Sequence, residues 1–286
     1  MKEQNKGRIL IILSALLWGL AGVCVKSIPW NPFSIMAVRS TISFLIILIS
    51  RRSLKVKLTK KTFFGSVLQV ATGILYMAAI KLTTAATAIV LQYVAPILVF
   101  LFTIIVQKKR PKWTQTLIVL AVFGGIVLSF ADELDPRYVI GNLLGLLSGV
   151  SFAGQIILFS DPEVDSGGAM MLSNLIGMLI CYPLMAFDKH LDFSPNTIMW
   201  VLILGIFQYG LANLCYTKGC QKISELETSL LLTIEPIFNP IPVLIVTGEM
   251  PGTLAWIGFA LVIAGVTMYA LLPTLEKRAR QRREQT

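Results

Sequence analysis

The sequence predicts an all-α integral membrane protein with ten transmembrane helices arranged as two inverted five-helix repeats. Three observations predict it: apolar stretches long enough to cross a bilayer recur along the chain, the basic residues crowd into the loops of one side, and the two halves align with each other. Of the 286 residues, 55% are apolar and 14% charged, and the mean hydropathy is +0.76. No water-soluble globular domain has that composition. A bilayer core of about 30 Å takes about 20 residues of helix. Runs such as 9–25 and 253–272 are solid apolar blocks, unlike the alternating strands of about ten residues in an outer-membrane barrel.

In chain order the segments run over 8–26, 32–50, 62–82, 84–106, 113–131, 139–160, 166–187, 196–218, 226–247 and 253–273. The first follows Lys2, Lys6 and Arg8 and could pass for a signal peptide, but no small-residue cleavage site follows it. It is therefore read as a retained span. Between the second and third lies the cluster R-R-S-L-K-V-K-L-T-K-K at 51–61, and Lys108, Lys109, Arg110 and Lys112 separate the fourth from the fifth. Lys218 and Lys222 follow the eighth, and the basic tail 277–283 follows the tenth. With the amino terminus inside, these positions hold 20 of the 25 basic residues. Lys26, Lys81, Arg137 and Lys189 fall outside, and Arg39 lies within a segment. The positive-inside rule then places both termini in the cytoplasm and requires an even number of spans. The net charge of +10 is topology by this reading, not a nucleic-acid footprint. Cys24, Cys181, Cys215 and Cys220 fall in or beside apolar segments without a C-x-x-C pair or a His cluster, which reads as packing.

A shift of 140 residues aligns Tyr76 with Tyr216, Pro96-Ile97 with Pro236-Ile237, Pro111 with Pro251 and Gly125 with Gly265. Near the start of each half a shift of 134 pairs Leu13-Ser14 with Leu147-Ser148 and Trp18 with Phe152. Each half then holds five segments. Two odd-numbered units in series insert with opposite orientation, the plan of many secondary transporters. The expected units are 1–133, 134–275 and the basic cytoplasmic tail 276–286. The loops agree, because Gln107-Lys108-Lys109-Arg110 is basic and its counterpart Thr247-Gly248-Glu249-Met250 is not.

S-A-L-L-W-G at 14–19, Arg39, Y-M-A-A-I-K-L-T-T-A at 76–85, V-A-P at 94–96, L-T-I-E-P at 232–236, G-E at 248–249 and G-F-A-L-V-I-A-G-V at 258–266 occur in that order. Together they resemble the drug/metabolite transporter superfamily, and within it the EamA-type transporters, over nearly the whole chain. The resemblance implies an EamA-like fold of ten helices in two inverted repeats around a central solute cavity. It implies no particular substrate. Two features depart from the pattern: Gln107-Lys108-Lys109 stands where the family often has Gly-Glu, and the link Asp161-Pro162-Glu163-Val164-Asp165 is acidic where cytoplasmic loops are usually basic. Small multidrug exporters, distant relatives, use a glutamate in the first helix, and this first helix has none.

No G-x-x-x-x-G-K-[ST] loop is present, so the chain cannot hydrolyse nucleotide by itself and secondary or facilitated transport remains. Polar groups are costly against lipid, so polar faces mark a cavity or helix contacts. Gln69, Thr72 and Tyr76 lie at i, i+3 and i+7 on the third segment, and Tyr209, Asn213 and Tyr216 at i, i+4 and i+7 on the eighth, with the 140-residue shift mapping Gln69 onto Tyr209. The sixth adds Ser148, Ser151 and Gln155, the first Ser14 and Trp18, and the fourth Gln92 and Tyr93. Either solute binding or interhelical hydrogen bonds explain single members; the matched faces favour a cavity lined by segments 1, 3, 4, 6, 8 and 9.

Two ionisable residues lie inside spans: Arg39 about 10 Å into the second, and Glu235 near the middle of the ninth. Each costs about 2.5–3.5 kcal/mol on insertion scales and needs protein or water around it. Glu235 reads as a proton-coupling group or an amine anchor, and Arg39 as a carboxylate anchor. A structural ion pair is the alternative for both. Pro96, Pro236, Pro240 and Pro242 remove backbone donors at repeat-related positions, where transporters place sites. His190 reads as a solvated loop residue.

The expected activity is secondary transport of a small polar or amphipathic metabolite by alternating access, an amino acid or amine by preference and with export favoured. Aromatic residues at Trp18, Tyr76, Tyr93, Phe152, Tyr209 and Tyr216 suit a solute with an apolar or cationic part. The expected partners are that solute, the lipid bilayer of the cytoplasmic (plasma) membrane and protons as coupling ion. No catalytic residue, metal, cofactor or nucleic acid is expected, and the chain is expected as a monomer or weak homodimer. The alternative is a membrane-embedded enzyme acting on a lipid-linked substrate, which would need a catalytic cluster of carboxylates, His or Ser at the membrane surface.

Overall fold

The computed structural model describes residues 2–83, 85–129, 138–239, 241–242, 245 and 253–283. Among them every regular element is helical. The first half holds α1 (Lys2–Trp18), α2 (Ala21–Ser27), α3 (Pro32–Arg51), α4 (Lys60–Leu82), α5 (Ala85–Gln92), α6 (Ala95–Ile105) and α7 (Trp113–Ser129). The second half holds α8 (Val139–Ser160), α9 (Ser166–Met185), α10 (Pro195–Ile203), a π-helical segment Leu204–Leu211, α11 (Ala212–Cys220), α12 (Glu225–Leu232), α13 (Ile234–Phe238) and α14 (Thr253–Arg283). Glu3–Ser27, Pro32–Arg51, Lys60–Leu82, Val139–Ser160, Ser166–Met185 and Pro195–Cys220 are long and apolar enough to cross a membrane. Shorter apolar helices cover Ala95–Ile105, Trp113–Leu128 and Trp256–Tyr269. Arg137, the counterpart loop 247–250, Pro240 and Pro251 lie outside the described residues.

Local sequence sets the helix starts. Asn31 caps α3 by accepting the Ser34 N–H at 2.8 Å, with Pro32 in the first turn where no donor is needed. Thr59, Asp165, Ser194 and Ser224 cap α4, α9, α10 and α12 in the same way. α14 carries on through the predicted tail because E-K-R-A-R-Q-R-R is built almost wholly of good helix formers.

Several predicted spans are interrupted. α5 gives way to α6 just before Pro96, and α12 to α13 just before Pro236; each proline lacks the N–H that would bond four residues back. The first span breaks at Gly19-Leu20, and side chains of the second half reach the carbonyls near the break. Asn239 Nδ2 donates to the Gly19 carbonyl at 3.1 Å and Gln208 Nε2 to the Trp18 carbonyl at 3.4 Å.

The packing follows the internal repeat. α3 lies against α9 and α7 against α14, each pair being related by the sequence shift; α4 packs on α8, as α11 packs on α1. Gly149 lets α8 approach the α5–α6 break, since a Cβ there would stand 2.7 Å from the Gln92 carbonyl oxygen.

The acidic link 161–165 sits against the basic cluster. Arg51 makes two bonds to Asp165 at 2.6 and 2.7 Å, and Lys61 reaches Asp161 and Glu163, each at 2.7 Å. Arg8–Glu227, Lys222–Glu3 and Lys109–Glu225 are further pairs. Every ion pair among the described residues joins a residue of 1–133 to one of 134–275. Near the other ends of α2 and α3, Asp188 accepts the Asn31 N–H at 2.8 Å and the Ser34 hydroxyl at 2.6 Å. Lys81 donates to the Val25 and Ile28 carbonyls at the end of α2, where a cation is favoured. His190 is exposed, and the four cysteines are unpaired.

Candidate functional site

Helices of both halves line a cavity of about 50 Å³. That is room for a few water-sized groups, so a whole metabolite enters only if side chains or helices move. Arg39 on α3, Gln69, Thr72, Gly73 and Tyr76 on α4, and Gln92 at the end of α5 line it. Trp18 at the end of α1 joins them, and the second half contributes Phe152 and Gln155 on α8, Gln208 and Tyr209 on the π-helical segment, and Glu235 on α13. Gln69 and Tyr209, 140 residues apart and matched by the repeat, meet directly: Gln69 Nε2 donates to the Tyr209 hydroxyl at 3.3 Å. Trp18 and Phe152, matched by the other shift, make an edge contact at 5.9 Å between ring centroids.

The α4 face Gln69, Thr72 and Tyr76 therefore reaches the cavity as its spacing predicts. The face on the eighth segment does so only in part. Tyr209 lines the cavity, while Asn213 and Tyr216 are fully buried and do not. The reason is the π-helical segment, whose i→i+5 bonding adds a residue to the turn and rotates the helix beyond it. It also turns in Gln208, which the helical spacing did not single out; its signal was an amide in an apolar block, the same as for Gln69 and Gln155. Tyr216 instead packs under Trp18, 5.2 Å between centroids. Ser14 is spent on the Ala212 carbonyl at 3.0 Å, Ser151 is buried away from the lining, and Ser148 bonds back to Gly145 in its own helix.

Arg39 is 3% exposed and has no carboxylate within ion-pair distance among the described residues. Its guanidinium carbon stands 4.1 Å from the centroid of the Tyr209 ring, a cation–π contact. Nε and Nη2 each point to Met36 Sδ at 3.3 Å, a weak acceptor. Gly73 makes the space, for a Cβ there would be 2.6 Å from Nη2.

Glu235 is 4% exposed, and Tyr93 stands behind it rather than in the lining. The Tyr93 oxygen is 2.8 Å from Glu235 Oε2 and 2.6 Å from the Leu232 carbonyl, the acceptor that Pro236, four residues on, leaves without its helical donor. One hydroxyl carries one proton and gives a full hydrogen bond to only one of them. Both contacts are satisfied when Tyr93 donates to Leu232 and a protonated Glu235 donates to Tyr93. Elsewhere in the wall Gln69 Oε1, the Tyr76 hydroxyl and Gln208 Oε1 are buried without a hydrogen-bond partner. The wall thus combines rings, amides and one guanidinium, a surface for holding a small solute. No group of His, Cys, Asp and Glu that could hold a metal ion occurs among the described residues.

The model of the EamA-like transporter family matches residues 5–131 and, a second time, 139–271. The chain belongs to the EamA-like transporter family. Relatives of this EamA-type transporter include the Uncharacterized transporter YwfM of Bacillus subtilis, 26% identical over 97% of this chain and 98% of the relative. Another is the Uncharacterized inner membrane transporter YicL of Salmonella typhimurium, 22% identical over 99% of both chains. A protein crystal structure superimposes with a TM-score of 0.77 at 20% identity, over 94% of this chain and 98% of the other, a likeness of fold. Family and relatives make this EamA chain a membrane transporter of the drug/metabolite type.

Proposed function

We propose that the protein is a secondary carrier of the cytoplasmic membrane that moves a small polar or amphipathic metabolite, an amino acid or amine, and works as an exporter. Ten spans in two inverted repeats, 1–133 and 134–275, with both termini cytoplasmic, rock against each other around the cavity. The observation that carries this reading is the cavity itself: it is lined by both halves, and residues equated by the repeat, Gln69 and Tyr209, touch across it. Trp18, Arg39, Gln69, Thr72, Tyr76, Gln92, Gln155, Tyr209 and Glu235 are the substrate-binding candidates that line it. Ser14, Tyr93, Ser151, Asn213 and Tyr216, the remaining candidates, are buried and lie outside that lining. Glu235 is the coupling candidate, since the Tyr93 arrangement accommodates a proton on its carboxyl. The enzyme alternative is not favoured, because the family and the relatives are transporters.

Counterflow in proteoliposomes with labelled amino acids and amines, with and without a pH gradient, tests it. Saturable counterflow is expected, with pH dependence lost in Glu235→Gln. A complete absence of flux across the panel would overturn the reading.

A further inference from the structure

We propose that the solute is recognised through a carboxylate and that Arg39 is its anchor, an inference that rests on the carrier reading of the same cavity. Arg39 is almost wholly buried, and no acidic side chain pairs with it among the described residues. The titratable side chains around it are Tyr209 on the π-helical segment, Cys181 on α9 and Tyr76 on α4, two phenols and a thiol rather than carboxylates. Among the described residues the one acid in the lining is Glu235, and the Tyr93 arrangement accommodates it as a neutral donor. With Glu235 neutral, the one charge of the described lining is positive.

A buried guanidinium without a counter-charge is costly, and a cation–π contact together with a thioether offsets only part of that cost. A carboxylate supplies the missing charge and accepts two parallel N–H bonds, the geometry a guanidinium fits best. The groups nearby suit the rest of such a solute. Tyr76 and the free amide oxygens of Gln69 and Gln208 accept hydrogen bonds from an ammonium or hydroxyl, and Trp18 and Phe152 offer apolar area to a side chain. An amino acid satisfies both ends. An amine lacking the carboxylate would place a second positive charge in a cavity that already holds one.

The experiment is isothermal titration of the purified full-length protein in detergent with L-phenylalanine, L-leucine and L-threonine, each beside its decarboxylated amine and its deaminated acid. At least one amino acid is expected to bind saturably, its deaminated acid to keep measurable binding, and its amine to bind at least tenfold more weakly. Arg39→Gln should remove that difference between acid and amine, while Arg39→Lys keeps part of it. The wild-type series stands even if the Gln variant fails to fold. Equal binding of an amine and its parent amino acid, or no binding by any member, would overturn the inference. The two readings fail separately: carboxylate binding without counterflow in liposomes overturns the carrier, and counterflow of amines alone overturns the carboxylate anchor.

Discussion

Tyr93 shows how much one atom decides in this protein. Its hydroxyl serves the Leu232 carbonyl at the α12–α13 break and stands beside Glu235 Oε2, so it ties a backbone defect to the one acid of the cavity. Removing it leaves the Leu232 carbonyl and the Glu235 carboxyl buried and without this partner. Tyr93→Phe should lower the stability of the purified protein by about 1–3 kcal/mol, read by thermal unfolding in detergent. No drop would mean that neither contact stabilises the fold. Arg39 is the complementary case, since its place depends on the absence of a side chain at Gly73 as much as on the Tyr209 ring.

Breaks organise the elements. The proline-related interruptions at α5–α6 and α12–α13 and the glycine break at α1–α2 each free backbone groups near the cavity, and side chains from the opposite half answer them at the α12–α13 and α1–α2 breaks. Element starts are also held from a distance, as at α3. Burial raises the Asp188 carboxyl, but hydrogen bonds from Ser34, the Asn31 N–H and the His190 N–H outweigh that and hold it below the ordinary carboxylate range. A lowered folded-state value means that the contribution is present above the ordinary range and is lost as pH falls through the lowered one. Asp188→Asn should therefore destabilise at pH 7 and match wild type once the pH is well below about 4, which a series of melting curves against pH would check. A constant difference at every pH would exclude charge as the cause. How much of these elements was legible follows the same division. The spacing of Gln69, Thr72 and Tyr76 on regular α4 puts all three in the lining, whereas across Leu204–Leu211 only Tyr209 of Tyr209, Asn213 and Tyr216 is in it, because the spacing assumes 3.6 residues per turn.

Over the whole molecule, the ion pairs form a seam between the two halves on the face that carries the basic loops. The acidic link 161–165, an exception to the charge rule in the sequence, is the other side of that seam. Burial raises the Asp165 carboxyl, but the Arg51 bond, the Gly168 N–H and the Arg51 charge together outweigh it, leaving it below its ordinary range. The pair is bidentate but partly exposed, with side chains 24% and 28% accessible, so its coupling energy belongs near the top of the surface range, about 0.2–1 kcal/mol. A double-mutant cycle with Arg51→Ala and Asp165→Ala should return such a value and lose most of it at about 1 M salt, where the screening length is about 3 Å. A coupling of zero at low salt would remove this pair from the seam.

By itself the sequence determined the class of the protein, because hydropathy, loop charge and the duplicated motifs are properties of the chain that a bilayer reads directly. It also determined where Pro96 and Pro236 interrupt their helices, since a missing N–H is a local fact. Only the tertiary structure decided which polar residues share the cavity, that Gln208 belongs there and Tyr216 does not, that Arg39 lies without an acidic partner among the described residues, and that one Tyr93 hydroxyl meets both the Leu232 carbonyl and Glu235. Those are relations between helices far apart in the chain, set by a π turn and by close packing at glycines, and no periodicity along a single segment encodes them.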